Sequence, residues 1–361
     1  MKLIAKQAVI DGQLKQDVCV EVSDGIIRQI GSATIGDTYI KGVLLPGFVD
    51  IHCHGGGGEY FSAKSPKGIE KAIRTHANSG TTALLASLVT APVENLLFQI
   101  QNLVPFINKS QLRGIHLEGP YLAHSHCGAH DPLLLKPPTI EELKQLIDAS
   151  GNNIKMVTIA PELEGAIKVI EFLKQVGVVV ALGHSGADAV TTRNAIEAGA
   201  TVITHFNNGM PKLNTGQNIN SVSLSDKRVD LELILDGHHL SQTETVAILD
   251  SAPNRILAVT DAMSAAGLSD GSYFIGELAV KVSDMVARLE SNGALAGSTL
   301  TMDKAFLNLI DEYKFSIPQA VFACSTLPAD KVGLTDSGSI SVGKRAEFVE
   351  LTLEGSLRAF N

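Results

Sequence analysis

Apolar stretches of β type alternate with longer amphipathic stretches through most of this 361-residue chain. Helical patterns cover residues 67–79, 140–149, 164–176 and 187–197. Repeated βα units build a parallel sheet, and eight of them close a barrel. The sequence therefore predicts an α/β fold with a (β/α)8 TIM barrel over residues 47–334. The eight predicted strands are 47–52, 81–89, 113–118, 155–160, 178–184, 201–205, 231–236 and 256–261.

The two ends of the chain follow a different pattern. Residues 18–30 form two short alternating runs joined by an Asp-Gly turn, which is typical of a β-hairpin. Near the other end, a strand pattern follows the turn-rich segment 338–343. Two β segments that flank a long middle predict one small composite β-sandwich domain, assembled from residues 1–46 and 335–361.

The charge balance limits the kind of partner. The formal net charge is -9, and no Lys/Arg-rich run provides the basic face that a nucleic acid or an anionic membrane requires. No stretch approaches the ~18 apolar residues of a membrane span, and the first residues lack the apolar core of a secretory signal. We expect a cytoplasmic protein that acts on a small molecule, with its four cysteines as free thiols.

Six of the eight predicted strands end in a residue that can bind a metal or move a proton. The carboxyl ends of barrel strands meet at one face, so these side chains converge although they lie far apart in sequence. Each has an ordinary alternative when taken alone, such as a hydrogen-bonded core histidine, a helix-capping aspartate or a salt-bridged glutamate. Their shared position favours a metal site. The residues are His52 with His54, Glu118, His184, His205, Asp236 with His238 and His239, and Asp261.

The donor types indicate which ions and which chemistry suit this site. Imidazole and carboxylate ligands without thiolate suit Zn²⁺ first, with Fe²⁺, Co²⁺ or Mn²⁺ as alternatives. Such ions lower the pKa of bound water, which makes hydroxide available near neutral pH. A carboxylate beside the ion can accept a proton and return it to a leaving group. We therefore predict a hydrolase whose general base and acid is Asp261.

Motifs along nearly the whole chain resemble those of the N-acetylglucosamine-6-phosphate deacetylase family, within the amidohydrolase superfamily. In family order they are LLPGFVDIHCHGGGG, HLEGPYL, GAHDP, TIAPE, GHSGA, THFNNGM, DGHH, AVTDAMSAAG and ALAGSTLTMDKA. The resemblance implies that Glu118, His184 and His205 hold a principal divalent ion. It also implies that His52 and His54, with Glu118 bridging, hold a second ion in members that bind two.

The resemblance also implies roles in deacetylation and in substrate binding. Metal-bound hydroxide attacks the acetamide carbonyl, Asp261 moves the proton, and His130 stabilises the oxyanion. The resemblance also implies a homodimer. Residues 121–127 are either a lid that closes over the sugar or an ordinary mobile loop with a free thiol at Cys127. The positions that match substrate contacts are Ala129, His130, Asn208, Gly209, His239, Leu295, Ala296 and Gly297.

One departure from the family pattern leaves the substrate open. The family usually has an arginine after the THxxNxM motif that holds the 6-phosphate across a dimer interface, but residues 211–220 contain none. Gly216 or Gln217 stands near that place, and Lys212 is the only base. Either Lys212 or a residue of another subunit replaces the arginine, or the substrate differs at C6. Alternatives to the glucosamine sugar are N-acetylgalactosamine 6-phosphate, an unphosphorylated N-acetylhexosamine and a related amide or cyclic amide. A non-enzymatic sugar-binding regulator is the alternative from a different class.

Overall fold

A computed structural model describes residues 1–32, 35–276 and 278–360 of the chain. The strands are β1 (Lys2–Ile10), β2 (Gln13–Ser23), β3 (Ile26–Ser32), β4 (Thr38–Pro46), β5 (Phe48–Cys53), β6 (Gly55–Gly56), β7 (Glu59–Tyr60), β8 (Thr81–Val89), β9 (Leu112–Glu118), β10 (Ile154–Ile159), β11 (Val179–Leu182), β12 (Val202–Ile203), β13 (Asp230–Ile234), β14 (Ile256–Val259), β15 (Gly271–Ile275), β16 (Leu278–Ser283), β17 (Val286–Leu289), β18 (Phe348–Leu351) and β19 (Leu357–Phe360).

The helices lie mainly between the strands of the central sheet. They are α1 (Pro66–Asn78), α2 (Val93–Leu103), α3 (Ile140–Ala149), α4 (Ala166–Gln175), α5 (Ala189–Ala198), α6 (Ile219–Ser225), α7 (Gln242–Ser251), α8 (Met302–Asp311), α9 (Ile317–Val321) and α10 (Leu327–Lys331). A π-helical turn over Phe322–Thr326 joins the last two helices. No helix within the described ranges is both long and apolar enough to span a membrane.

The central sheet is an eight-stranded parallel barrel in the order β5-β8-β9-β10-β11-β12-β13-β14. The first and last strands approach each other where the Asp261 N–H donates to the His52 carbonyl oxygen at 2.8 Å. A parallel bridge between Cys53 and Ala262 continues this junction. The predicted (β/α)8 fold is confirmed, with all eight strands in the predicted order.

The observed strands differ from the predicted ones mainly at their ends. Strands β11, β12, β13 and β14 stop two residues before His184, His205, Asp236 and Asp261, respectively. These four side chains therefore lie on the first residues of the loops rather than on the strands. The difference matters for the site because loop backbone can adopt conformations that a strand excludes.

Helix α3 shows why the helices cover the barrel where they do. Thr139 caps the helix by accepting the Glu142 N–H, and Leu143, Leu146 and Ile147 form the buried face. Burial of each such side chain contributes about 1.5–3 kcal/mol relative to exposure. The helix occupies residues 140–149, as the sequence predicts, because its capping residue and its apolar spacing agree.

Both ends of the chain contribute to one mixed six-stranded sheet in the order β19-β18-β4-β1-β2-β3. Its own apolar cluster includes Leu3, Val20, Ile27 and Phe348. The chain ends therefore assemble together, as their sequence pattern indicates. The exact domain limits, residues 1–46 with 335–361 against 47–334, stay a prediction.

A three-stranded antiparallel sheet, β15-β16-β17, follows the last barrel strand. No strand is predicted there, although residues 278–283 do alternate between inward and outward positions. Its apolar side joins a cluster with Met263 and Ala296, which flank the loop after β14. This small sheet therefore supports one wall of the barrel mouth.

Candidate metal centre and active site

The predicted metal ligands converge at the carboxyl ends of the barrel strands. Glu118 Oε1 lies 3.2 Å from His184 Nε2 and 3.1 Å from His205 Nε2. Its other oxygen, Oε2, lies 3.1 Å from His54 Nε2, which is also 3.1 Å from Asp261 Oδ1. All five side chains are buried. One carboxylate thus stands between two groups of donors.

The donor atoms form two groups that share Glu118. One group is Glu118, His184 and His205, and the other adds His52, His54 and Asp261 to the same glutamate. Within each group the donor atoms lie within 4.8 Å of one another. This division agrees with the two half-sites that the sequence predicts, and it adds Asp261 to the donors of the second one.

The outer ring nitrogens of the four histidines are all held by oxygen acceptors. An oxygen acceptor at Nδ1 requires a proton on that nitrogen, so the neutral ring presents the lone pair of Nε2 to the centre. The acceptors are a Glu232 carboxylate oxygen for His52 (2.9 Å), and main-chain oxygens of Ser87 for His54 (3.1 Å), of His126 for His184 (2.8 Å) and of Asn208 for His205 (3.1 Å).

Acceptor atoms therefore face one another at short range. His184 Nε2 lies 3.0 Å from His205 Nε2, and His52 Nε2 lies 3.2 Å from His54 Nε2. Two lone pairs at this separation repel unless a cation lies between them. Four imidazoles and two carboxylates without thiolate form a donor set that suits a borderline divalent ion such as zinc.

The pKa values of these groups reflect the same demand for positive charge. Burial lowers the pKa of the His54 imidazole, but the hydrogen bonds that the ring donates to Asp261 and Glu118 outweigh it and raise the pKa to about 9. Burial raises the pKa of the Asp261 carboxyl, but His52 and His54 outweigh it and lower the pKa overall. Without a metal ion, protons supply the positive charge that the two carboxylates require.

Three of the site residues have left-handed backbone conformations. The φ angles of His184, His205 and Asp261 are 47°, 27° and 48°, respectively. Non-glycine residues in this region carry strain of about 1–3 kcal/mol, and such residues cluster at functional sites. Gly209 lies against the same group, and a Cβ at this glycine would be 3.0 Å from His184 Nδ1. The loops thus hold the donors in positions that ordinary strand backbone does not provide.

His130 is oriented in the opposite way to the four metal-ligand candidates. The Thr90 hydroxyl lies 2.8 Å from its Nδ1, and the Thr90 N–H donates to the same nitrogen at 3.4 Å. An imidazole nitrogen that accepts a hydrogen bond has no proton, so the proton of the neutral ring lies on Nε2. Burial lowers the pKa of His130 to about 4. The ring therefore offers a neutral N–H donor, 3.5 Å from Glu118 Oε2.

A cavity of about 240 Å³ lies over the donor cluster. Among the predicted substrate contacts, Ala296 is the exception: it does not line this cavity, and its buried side chain packs in the cluster beneath β15–β17. The predicted residues that line the cavity are His54, Glu118, Ala129, His130, His184, His205, Asn208, Gly209, His239, Asp261, Leu295 and Gly297. The structure therefore brings the catalytic, metal and substrate candidates to one cavity, except for His52 and Ala296, which do not line it.

The neighbouring residues His238 and His239, which follow β13, have different surroundings. The His239 Nδ1 lies 2.7 Å from Asp236 Oδ2, and the His239 side chain is buried. His238 is exposed and does not line the cavity. Of the two neighbouring histidines, only His239 is placed to meet a substrate there.

The predicted lid begins with residues that are firmly attached to the barrel. Tyr121 is fully buried, and its carbonyl oxygen accepts the Ala160 N–H at 2.9 Å. The Ala123 N–H donates to the His184 carbonyl oxygen at 3.0 Å. Closure of the segment up to Cys127 over a substrate stays a prediction.

Sequence reasoning missed the residues that orient the ligands. Glu232 is fully buried, contacts the His52 ring and accepts the main-chain N–H of His205 at 3.1 Å. Thr90 orients His130. A carboxylate in the strand 231–236 was a visible signal for Glu232, but its partner His52 lies 180 residues away. Only the barrel register brings these two residues together.

The loop in which the family arginine is missing lies apart from the cavity. Lys212 Nζ donates to the Asn207 carbonyl oxygen at 2.8 Å, and the exposed residues Gly216 and Gln217 do not line the cavity. Asn218 caps α6. Within the described part of this chain, the segment 211–220 thus adds no side chain to the cavity wall.

The fold and the donor set are those of a barrel enzyme with a cation site at the ends of its strands. The amidohydrolase family model matches residues 43–361. The N-acetylgalactosamine-6-phosphate deacetylase of Escherichia coli is 35% identical over 97% of this chain and 94% of that protein. The N-acetylglucosamine-6-phosphate deacetylase of Vibrio furnissii is 33% identical over 97% of this chain and 91% of that protein.

A solved structure adds a close match in three dimensions. It is the N-acetylglucosamine-6-phosphate deacetylase of Mycobacterium smegmatis, in an aspartate-to-alanine variant with N-acetylglucosamine 6-phosphate bound. Its TM-score is 0.95 at 35% identity, and the match covers 99% of this chain and 96% of that one. The chain belongs to the amidohydrolase family and is a hydrolase of that family.

Proposed function

We propose that this protein removes the acetyl group from an N-acetylhexosamine 6-phosphate, with N-acetylglucosamine 6-phosphate as the leading substrate. One observation carries the proposal: Glu118 lies between two groups of metal donors, in a cavity that also holds Asp261 and the neutral donor His130. The relatives named above act on amino-sugar phosphates, which supports this substrate class.

We propose zinc as the ion, held by Glu118, His184 and His205, with a second ion at His52 and His54. A divalent ion bound there lowers the pKa of a water molecule and polarises the acetamide carbonyl. Side chains and loops around the cavity would bind and orient the sugar. The loop residues Asn208 and Gly209 and the ring of His239 face the same cavity and would position the sugar.

Two side chains move or stabilise charge during the reaction. His130 donates its Nε2–H to the acetamide oxygen, where negative charge develops in the tetrahedral state. The Asp261 carboxylate accepts the proton from the attacking water, and it then returns this proton to the departing amine. The lowered pKa of the Asp261 carboxyl keeps it ionised and ready to accept a proton at neutral pH. Both side chains line the cavity.

N-acetylgalactosamine 6-phosphate is the second candidate substrate. The observation that favours it is the 35% identity to the Escherichia coli enzyme named for that sugar. The missing arginine in the segment 211–220 does not separate the two sugars, because both carry a 6-phosphate. A homodimer, in which a partner subunit supplies a base for the phosphate, is a further proposal, and the molecular mass in solution tests it.

Acetate release measured on a panel of sugars tests the function. Zinc-loaded protein is given the 6-phosphates of N-acetylglucosamine and N-acetylgalactosamine, and both sugars without phosphate. We expect the highest kcat/KM with one of the two phosphates. Cleavage of only the unphosphorylated sugars would overturn the proposed substrate class, although the protein would still act as an amide hydrolase. No turnover of any amide would overturn the proposed enzymatic activity.

A further inference from the structure

Glu232 joins the two groups of metal donors through a single oxygen atom. It lies on β13 and is fully buried. Its Oε2 lies 2.9 Å from His52 Nδ1 and accepts the main-chain N–H of His205 at 3.1 Å. His52 belongs to one donor group and His205 to the other. One carboxylate oxygen therefore fixes a ligand in each half of the centre.

In the part of the chain that the structure describes, the Glu232 carboxylate contacts the His52 ring but no lysine or arginine side chain. Among the same residues, its buried Oε1 has no hydrogen-bond partner. A buried carboxylate is unfavourable unless positive charge compensates it. A cation bound at Nε2, on the far side of the His52 ring, would balance the charge of Glu232 through that ring.

Glu232 also gives His52 a different support from the other three histidines. The outer nitrogens of His54, His184 and His205 donate to main-chain carbonyl oxygens, which are neutral. A carboxylate accepts only, so it fixes the Nδ1–H form of His52, and its charge makes the lone pair at Nε2 a stronger donor. An uncharged residue at position 232 would strengthen the Nε2 donor of His52 only weakly.

We propose that Glu232 is a positioning residue that determines whether the His52–His54 half of the centre holds a metal ion. The proposal rests on the proposed function only in taking the centre as a divalent-cation site. It makes no use of the substrate. The ligand motifs do not show whether the centre holds one ion or two, and the proposal assigns this difference to Glu232.

Metal counting with Glu232→Gln tests this role. Glutamine keeps an acceptor for the His52 ring and removes the charge. Protein is dialysed against buffered free Zn²⁺, and the ions per chain are counted by elemental analysis and native mass spectrometry. We expect two ions in the wild type and one in the variant at the same free Zn²⁺, since loss of such a support weakens metal affinity about 10–100-fold.

Glu350→Gln is the matched control. Glu350 is a buried glutamate in the sheet of the chain ends, where it accepts the Gly42 N–H at 2.9 Å. We expect this variant to bind two ions like the wild type. If Glu232→Gln does not fold, Glu232→Asp replaces it, because aspartate keeps the charge and loses the reach to His52.

A double variant separates an effect through His52 from general damage. His52→Ala removes a ligand of the second half, so we expect one ion. Addition of Glu232→Gln should change neither the count nor the affinity of that ion, because the glutamine oxygen still accepts the His205 N–H. Two ions in Glu232→Gln with unchanged affinity would overturn the proposal, as would a single ion in the wild type at saturating Zn²⁺. The sugar panel is a separate measurement, so failure of deacetylation leaves this result intact.

Discussion

The metal centre and the loop over residues 211–220 are built in opposite ways. At the centre every ligand is buried on or just after a barrel strand, and each histidine has an oxygen acceptor at its Nδ1. In the loop, Lys212 is exposed and its Nζ already donates to a main-chain oxygen. The barrel therefore fixes the donors of the centre, whereas the segment in which the family arginine is missing is a surface loop that adds no side chain to the described cavity.

The largest effect is expected from Glu118→Gln, which replaces the carboxylate shared by both donor groups with an uncharged amide. We expect kcat/KM to fall at least about 10³-fold, because loss of the ions removes several kcal/mol of transition-state stabilisation. Acetate release and bound zinc are measured together. Glu350→Gln serves again as the control, and turnover within tenfold of wild type would show that the centre does not drive the reaction.

His130→Ala tests the neutral donor at the edge of the centre. We expect kcat to fall about 10²-fold with little change in KM, as for the loss of one oxyanion donor. His126→Ala is the matched control, because it keeps the main-chain oxygen that orients His184. Equal losses in the two variants would contradict a specific role for His130.

The same residue predicts a pH dependence of stability. The pKa of His130 is about 4 in the folded protein, against about 6.5 when unfolded, so the unfolded chain binds more protons between these values. Stability should therefore fall as the pH drops from 6.5 towards 4 and should not change from this group above 6.5. The apparent Tm of chelator-treated protein at pH 5 and pH 7 measures it. His130→Gln should reduce the difference, and an unchanged difference would reject the assignment.

The smallest effect is expected at the loop. Lys212→Ala should raise KM for the phosphorylated sugar only about twofold, the size expected from an exposed charge worth about 0.5 kcal/mol. KM for the unphosphorylated sugar provides the internal control. A rise of more than tenfold confined to the phosphorylated sugar would make Lys212 the phosphate base and would remove the contrast between the two regions.

The sequence predicts the barrel and the convergence of its ligands because both depend on local patterns. Strand β8 and helix α3 have the predicted limits, and Glu118 ends its strand as expected. The supports of the ligands were not predictable in this way. Glu232 and His52 are 180 residues apart, and Thr90 and His130 are 40 apart, so their contacts depend on strand register and loop conformation. The roles assigned to the individual site residues stay predictions until variants are measured.

The small sheet β15–β17 was missed for a related reason. Its strands alternate between buried and exposed residues, but they are short and half exposed. They are also not part of the repeated strand–helix pattern that predicts the barrel. Its position became evident only from its packing against the loop after β14, through Met263. Inserted elements of this kind shape the mouth of a barrel without changing its repeat.

Asp261→Asn tests most directly whether this centre hydrolyses an acetamide with Asp261 as base and acid. Single-turnover acetate release and equilibrium binding of N-acetylglucosamine 6-phosphate are measured on the same zinc-loaded protein. We predict that the variant binds the sugar with an affinity close to that of the wild type and releases acetate more slowly by orders of magnitude. Normal acetate release by the variant would show that Asp261 is neither the base nor the acid.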